Sequence, residues 1–309
     1  MKTLKSILED EIAKGEYFLQ GNSTCAGCGL DLGLRWALKA LGPKTVLVAP
    51  ASCLNVVVGL WPKTAPNIPF FNMAFAAGAA AATGIYHGLK ARGYEDYNVL
   101  VFAGDGGTAD IGIQALSGAA ERGSNIIYVC YDNEAYQNTG NQRSSSTPFG
   151  TVTTTTPYKK RQQKKYIPGI MYMHNIPYVA TCSVSEPVDL YNKFLKAKDI
   201  KGLKYIQIFA PCPPGWRYDT ADTIKEARMA VDSGLWPLYE IENGNFILSG
   251  PSFKARDPAK RASLREYLKD QGRFKKMNDE DIQQIEEYIN WLWSFIEKEF
   301  LFKEAQKNK

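Results

Sequence analysis

Two histidines, His87 and His174, occur in 309 residues. A Ser–His–Asp triad or a histidine-based zinc site therefore has little to draw on, and neither histidine is assigned a catalytic role. No apolar run reaches the ~18 residues that a membrane-spanning helix needs. The stretch Met1 to Tyr17 is charged and helix-like and lacks the apolar centre of a secretory signal, so a cytoplasmic location is expected. Internal repeats, heptads, low-complexity tracts and nucleic-acid-binding motifs are also missing. Neither nucleic acid nor a membrane is expected as a partner. The net charge of +5 is too small to select a partner by itself. Six cysteines occur without an export signal, which argues against disulfides.

What is present centres on Val99 to Gly140. Val99 to Ala103 is an apolar run of strand length that leads into Gly104-Asp105-Gly106-Gly107. A helix is expected over Thr108 to Arg122, with Gly123 as its stop. A second apolar run, Ile126 to Tyr131, delivers Asp132, Asn133 and Glu134 to its end. This reads as a βαβ unit with two polar clusters at the carboxyl edge of one parallel sheet, where open α/β sheets bind ligands. A glycine-rich turn at a helix start suits phosphate, yet Asp105 would repel a bare one. A Mg²⁺ ion resolves the conflict: Asp105, the Asn133 side-chain oxygen and a nearby carbonyl could hold a metal-bound diphosphate. GDG with 25 residues between Gly106 and Asp132-Asn133 resembles the thiamine diphosphate (TPP) signature.

Cys130 and Cys182 lie in or beside apolar runs and are read as small buried residues. The other four differ. Cys25-Ala-Gly-Cys28 is a CxxC with glycines around it; Cys53 follows the strand candidate Thr45 to Ala49, and Cys212 follows Tyr205 to Phe209. If those strands share one sheet, four thiols converge beside the proposed diphosphate. Zinc, a [4Fe–4S] cluster and unliganded thiols all remain open on these residues, although one local pair with two distant single cysteines, the last before a proline, leans towards iron–sulfur.

Together, the CxxC, Cys53 a further 25 positions on, GDGG, DNEAYQNTG and APCPPGW around Cys212 resemble the TPP-binding β subunit of the 2-oxoacid:ferredoxin oxidoreductases, nearest to the pyruvate enzymes. The likeness spans almost the whole chain. It implies an α/β TPP-binding fold, a mainly parallel sheet with helices on both faces. It implies TPP contacts at Gly27, Cys28, Gly104, Asp105, Gly106, Gly107, Asn133, Asn138 and Thr139, with Asn138 at the reactive end of the cofactor as the catalytic candidate. Mg²⁺ would be held by Asp105, Asn133 and the carbonyl of Ala135, and a [4Fe–4S] cluster by Cys25, Cys28, Cys53 and Cys212. TPP would release CO₂ from a 2-oxoacid and the cluster would take the electrons on to ferredoxin. An α subunit would supply the glutamate that activates TPP, and further subunits the coenzyme A site. The family's Phe-Glu-Asn triplet is absent, since Phe75 is followed by Ala76 and Ala77. That leaves pyruvate, oxalate and a branched 2-oxoacid open, with a non-redox TPP lyase or decarboxylase as the other reading.

Along the rest of the chain, helices are expected over Lys5 to Lys14, Leu32 to Leu41 and the small-faced Met73 to Leu89. Asn141 to Thr156 reads as a loop covering the site. Tyr158 to Lys165 holds five positive charges and reads as a solvated basic face, with a docking site for acidic ferredoxin as the alternative. The domain reading is 1–217 for cofactors and 218–309 as a C-terminal extension that packs on another subunit. That extension holds a helix from Asp222, a hairpin around Asn243-Gly244, a helix over Pro258 to Gln271 and a final helix capped by Asn278. The final helix carries Ile282, Ile285, Ile289, Leu292 and Ile296, with Trp291, Trp293, Phe295, Phe300 and Phe302 on several faces, which either another subunit or this chain's own core could cover.

Overall fold

The computed structural model describes residues 1–307, with side chains through Lys298. Eight strands form one sheet: β1 (Thr45–Pro50), β2 (Phe70–Met73), β3 (Asn98–Gly104), β4 (Ile127–Asp132), β5 (Tyr178–Ser183), β6 (Lys204–Phe209), β7 (Tyr239–Glu242) and β8 (Asn245–Leu248). Their order is β2-β1-β3-β4-β6-β5-β7-β8. The first six run parallel, while β7 pairs antiparallel with β5 and β8 with β7. Strands β1, β4, β5 and β6 are buried along their whole length, which is why they read as unbroken apolar runs rather than alternating ones. Cys130 and Cys182 are fully buried within them.

The helices include α1 (Gly29–Leu41), α2 (Cys53–Val58), α3 (Gly78–Ala91), α4 (Ile113–Glu121), α5 (Pro187–Asp199), α6 (Thr223–Asp232), α7 (Leu264–Lys269) and α8 (Asp279–Lys307), with several further short ones. Order and direction together place a switch point: the connection from β1 goes outward to β2, whereas that from β3 goes the opposite way to β4. The crevice at the carboxyl ends of β1 and β3 is therefore where a doubly wound sheet admits a ligand.

Four expectations differ in detail. The N-terminal helix is two short pieces, Leu4–Leu8 and Glu11–Lys14, because Asp10 turns out of the first and caps Ile12 N–H of the second. Met73 closes edge strand β2, so α3 starts only at Gly78. The helix expected from Thr108 opens as a π-helical turn, Gly106–Asp110, and becomes α-helical only at Ile113. There Thr108 Oγ1 donates to Gly104 O at 2.8 Å, and Ile111 N–H reaches five residues back to Gly106 O. The segment after Pro258 is one 3₁₀ turn followed by the short α7, restarted by the Ser263 cap.

The C-terminal hairpin extends the same sheet as β7 and β8. Helix α8 buries Ile285, Ile289, Leu292, Trp293 and Ile296 against this chain and leaves Trp291 half exposed. Trp293 Nε1 donates to Gly234 O at 2.8 Å, and Tyr166 packs edge-on against Trp291 and Phe295. Much of the apolar surface thus finds cover within the chain, one of the two packings the sequence leaves open, while Trp291 keeps an exposed face. Phe300 and Phe302 lie outside the described side chains. Among the described residues no helix is long and apolar enough to cross a membrane.

Candidate cofactor site

A cavity of about 290 Å³ occupies the switch-point crevice. Its walls are Ala51 to Cys53 after β1, Gly104 to Gly107 at the end of β3, Asn133 and Ala135 to Thr139 after β4, and Phe75. At Gly106 a Cβ would stand 2.3 Å from the Tyr136 ring, so only glycine lets the turn and that ring meet. Tyr136 OH donates to Asp110 Oδ2 at 2.9 Å, which ties the π-turn to the loop after β4.

Three oxygens meet on the floor. The Asn133 amide presents its oxygen to Asp105 Oδ1 and Ala135 O, each 2.9 Å away; turned over, the amide nitrogen would donate to both. Adjacent ligands of an octahedral Mg²⁺ stand about 2.9 Å apart, √2 times the metal–oxygen distance. The donor set and its spacing therefore fit a divalent ion with the oxygen inward, and the reversed amide is the arrangement that satisfies the same atoms without one.

Asp105 is fully buried, and its direct partner is a hydroxyl, Ser144 Oγ. Burial and the charge of Asp132 push its carboxyl well above the usual range, against the opposing pull of Ser144 and Lys164. A bound cation reverses that balance. Asp132 is buried as well and does not face the cavity: it accepts from Gln207 Nε2 at 2.7 Å, from Lys164 Nζ at 3.3 Å and from Glu134 N–H at 3.1 Å. Burial raises its carboxyl, while Lys164 opposes the rise. Beside it, Glu134 pairs with Lys164 at 2.8 Å and with Arg273 at 2.7 Å. Burial alone would raise the Glu134 carboxyl, but these two cations hold it below the usual range. Lys164 is correspondingly raised despite its own burial, through Asp132 and Glu134.

The basic segment is thus in part an internal strap, through Lys159, Lys160 and Lys164, while Tyr158, Arg161 and the two glutamines stay exposed. Lys164 points into the carboxylates, Lys159 and Arg161 pair with Asp281 at the start of α8, and Lys165 donates to Ala109 O. Lys160 is buried and donates to Thr147 O. Burial first, then the charges of Arg143 and Lys164, push its ammonium down to about 7. Asn141 to Thr156 does cover the site: Ser144 reaches Asp105, and Ser145 N–H donates to Asp110 at 3.1 Å.

A second cavity, about 80 Å³, is lined by Cys25, Cys28, Cys53 and Cys212. The four cysteines of the sequence reading are brought to one place. Cys53, Asn133 and Asn138 line both cavities, so the two share a wall. Burial pushes the thiols of Cys53 and Cys212 up to about 12, with Cys28, Asp105 and Cys25 adding to the rise at Cys53 and Cys28, Cys53 and Cys25 to that at Cys212, and it raises Cys28 as well. Among the described residues no three His, Cys, Asp or Glu side chains gather closely enough to hold a metal ion. Gly27 lines neither cavity; at φ +71° its carbonyl accepts from Thr223 Oγ1 at 2.6 Å and turns the CxxC loop. Asn138 and Thr139 sit at the exposed mouth.

Lys164, Glu134, Arg273, Ser144 and Trp216 were not singled out from the sequence as site residues. Glu134 is the one with a local signal, since it stands inside DNEAY. Arg273 and Trp216 are recognisable only once folded, when the guanidinium lies 3.6 Å from the indole centroid and the indole N–H donates to Asn133 O at 2.8 Å.

A parallel sheet with an acidic, glycine-lined crevice at its switch point defines a TPP-type α/β enzyme subunit, and residues 60–208 match the family described as thiamine pyrophosphate enzyme, C-terminal TPP binding domain. The chain is 48% identical to pyruvate synthase subunit PorB of Methanothermobacter thermautotrophicus over 91% of its own length and 97% of that subunit. It is equally, 48%, identical to ketoisovalerate oxidoreductase subunit VorB of Pyrococcus horikoshii over 92% of its length and 93% of the relative. In fold it resembles a 2-oxoglutarate:ferredoxin oxidoreductase from Magnetococcus marinus, with a TM-score of 0.57 at 24% identity over 71% of this chain and 81% of that one. The chain belongs to the β subunits of the 2-oxoacid:ferredoxin oxidoreductases.

Proposed function

We propose that this subunit holds TPP through Mg²⁺ on Asp105, Asn133 and Ala135 O and a [4Fe–4S] cluster on Cys25, Cys28, Cys53 and Cys212, for the oxidative decarboxylation of a short 2-oxoacid. The observation that carries this reading is the shared wall: Cys53, Asn133 and Asn138 face both cavities. An electron donor held in the first cavity and an acceptor held in the second would be separated by these shared side chains.

When bound, TPP supplies the electron sink that lets a 2-oxoacid lose CO₂, and an iron–sulfur cluster supplies one-electron acceptance. The chain's residues do the rest. Asp105, Asn133 and Ala135 O fix the diphosphate through the cation, Tyr136 and Phe75 wall off water, and Asn138 stands where it can hydrogen-bond a reacting group at the mouth. The four thiols line one cavity, and one local CxxC pair joined by two distant single cysteines, the last before a proline, is the pattern that supports an iron–sulfur cluster. A high thiol pKa is lost on ligation, because the metal supplies the missing positive charge.

Pyruvate is the first choice of substrate. A branched 2-oxoacid is the second, supported by equal identity to the ketoisovalerate relative. The glutamate that activates TPP comes from a partner α subunit, and ferredoxin and coenzyme A meet the assembled enzyme. The test is anaerobic purification with the partner subunits, then iron, acid-labile sulfide and TPP per chain, and a survey of which 2-oxoacid bleaches the visible absorption. Bound TPP with zinc or no metal in the cysteine cavity would return the chain to the non-redox lyases, a reading the structure otherwise leaves without a use for four gathered thiols.

A further inference from the structure

Glu134 adopts φ +62°, in the left-handed region that side chains with a Cβ rarely occupy. It stands between Asn133 and Ala135, and the Asn133 amide lies 2.9 Å from both Asp105 Oδ1 and the Ala135 carbonyl oxygen. The reversal is what makes that possible: in an extended strand residues two apart are separated by about 7 Å, with side chains standing out of the sheet and carbonyls lying in it, so β4 continued in register would hold the Asn133 amide away from the Ala135 carbonyl.

The reversed residue is held from every side. Its carboxylate is 1% exposed, with Oε1 2.8 Å from Lys164 Nζ and Oε2 2.7 Å from Arg273 Nη1. Its N–H donates to Asp132 Oδ1 at 3.1 Å, and its carbonyl accepts from Thr147 Oγ1 at 2.6 Å. The clamp continues outward. Arg273 stacks on Trp216, and Trp216 donates to the carbonyl of Asn133, so the residue before the reversal is fixed by the same arginine that fixes the reversal itself.

We infer that Glu134 is a positioning residue for the divalent cation: its buried carboxylate, clamped by Lys164 and Arg273, holds the backbone reversal that brings the Asn133 amide against both the Ala135 carbonyl and Asp105. Glu134 does not touch the cation; it acts through its two neighbours. The inference rests on the reading that these three oxygens hold the cation of TPP.

The test uses the assembled enzyme stripped of TPP and divalent ion, titrated with Mg²⁺ at saturating TPP and followed by calorimetry, beside the thermal midpoint of the stripped protein. Glu134→Gln keeps the shape without the charge, and Glu134→Gly relaxes the reversed backbone but removes the anchor. Both are expected to weaken Mg²⁺ binding about 10- to 100-fold, the usual loss for a group that orients a metal's ligands, with TPP binding recovered at high Mg²⁺. A role in folding alone would lower the midpoint and leave the Mg²⁺ titration in place, which overturns the inference. Wild-type affinity in Glu134→Gly does so too, because the carboxylate would then be dispensable. Should neither variant fold, Arg273→Lys decides: it keeps one charge but loses the planar fork and the stacking, so weaker Mg²⁺ binding is expected and an unchanged titration overturns the inference. A wild-type enzyme that binds no TPP with Mg²⁺ removes the reading beneath it as well.

Discussion

The two cavities share a wall and are built on opposite electrostatic plans. Around Asp105 the chain brings its own countercharge: Lys164 and Arg273 are buried against Asp132 and Glu134, so the loop after β4 is shaped before any ligand arrives. Around Cys53 and Cys212 the neighbouring thiols add to burial, and the thiols are pushed up to about 12. On the proposed reading the first site is preorganised and a cation would complete it. The second would be a set of neutral thiols that become ligands when a metal takes their protons.

If the two sites are this separate, each should be removable alone. The largest effect is expected from Cys212→Ser, which should abolish cluster iron, measured per chain, while TPP remains bound. Asp105→Asn should do the converse, weakening TPP and Mg²⁺ binding by about 100-fold or more in a calorimetric titration with iron retained. Loss of both cofactors in either variant would break the comparison. Lys164→Met leaves two buried carboxylates with one fewer cation and should cost about 3–5 kcal/mol in denaturant unfolding of the stripped protein. A similar loss from removing a thiol would erase the contrast between the two plans.

The smallest effect concerns Lys160, at about 7 in the fold against 10.5 when exposed. Between those values the unfolded chain binds the extra proton, so unfolding free energy rises with pH through that window. Lys160→Met should flatten this slope when stability is measured from pH 7 to 10. Lys204, also pushed down to about 7 by burial and Lys201, keeps its own contribution in both proteins.

The sheet was legible because strands buried on both faces leave apolar runs that glycine-rich turns interrupt, as with Val99 to Gly107. The cysteines and Asp105 were legible because ligand chemistry restricts residue type and the βα turns restrict place. The strap was misread in part, for a physical reason: five positive charges in eight residues look solvated until Asp132, Glu134 and Asp281 are known to stand opposite them. Charge pairing over a hundred positions leaves no local trace. Helix α8 was legible only in part for a related reason, since the sequence displays its aromatic faces without the partners, Gly234 and Tyr166, that meet some of them, and Trp291 stays half exposed.

The ion pair between Arg273 and Glu134 also sets a timetable. A ribosome makes the chain from its N-terminus, so β1, β3 and β4 emerge long before residue 273, and Asp281 follows later still. Until then Glu134 lacks half of its clamp, and Lys159 and Arg161 have no anion to hold the strap down. The cofactor pocket therefore matures only when almost the entire polypeptide has been translated. A message truncated before Arg273 yields a sheet able to collapse but a pocket whose reversed loop is held by Lys164, Thr147 and Asp132, without the second cation on Glu134.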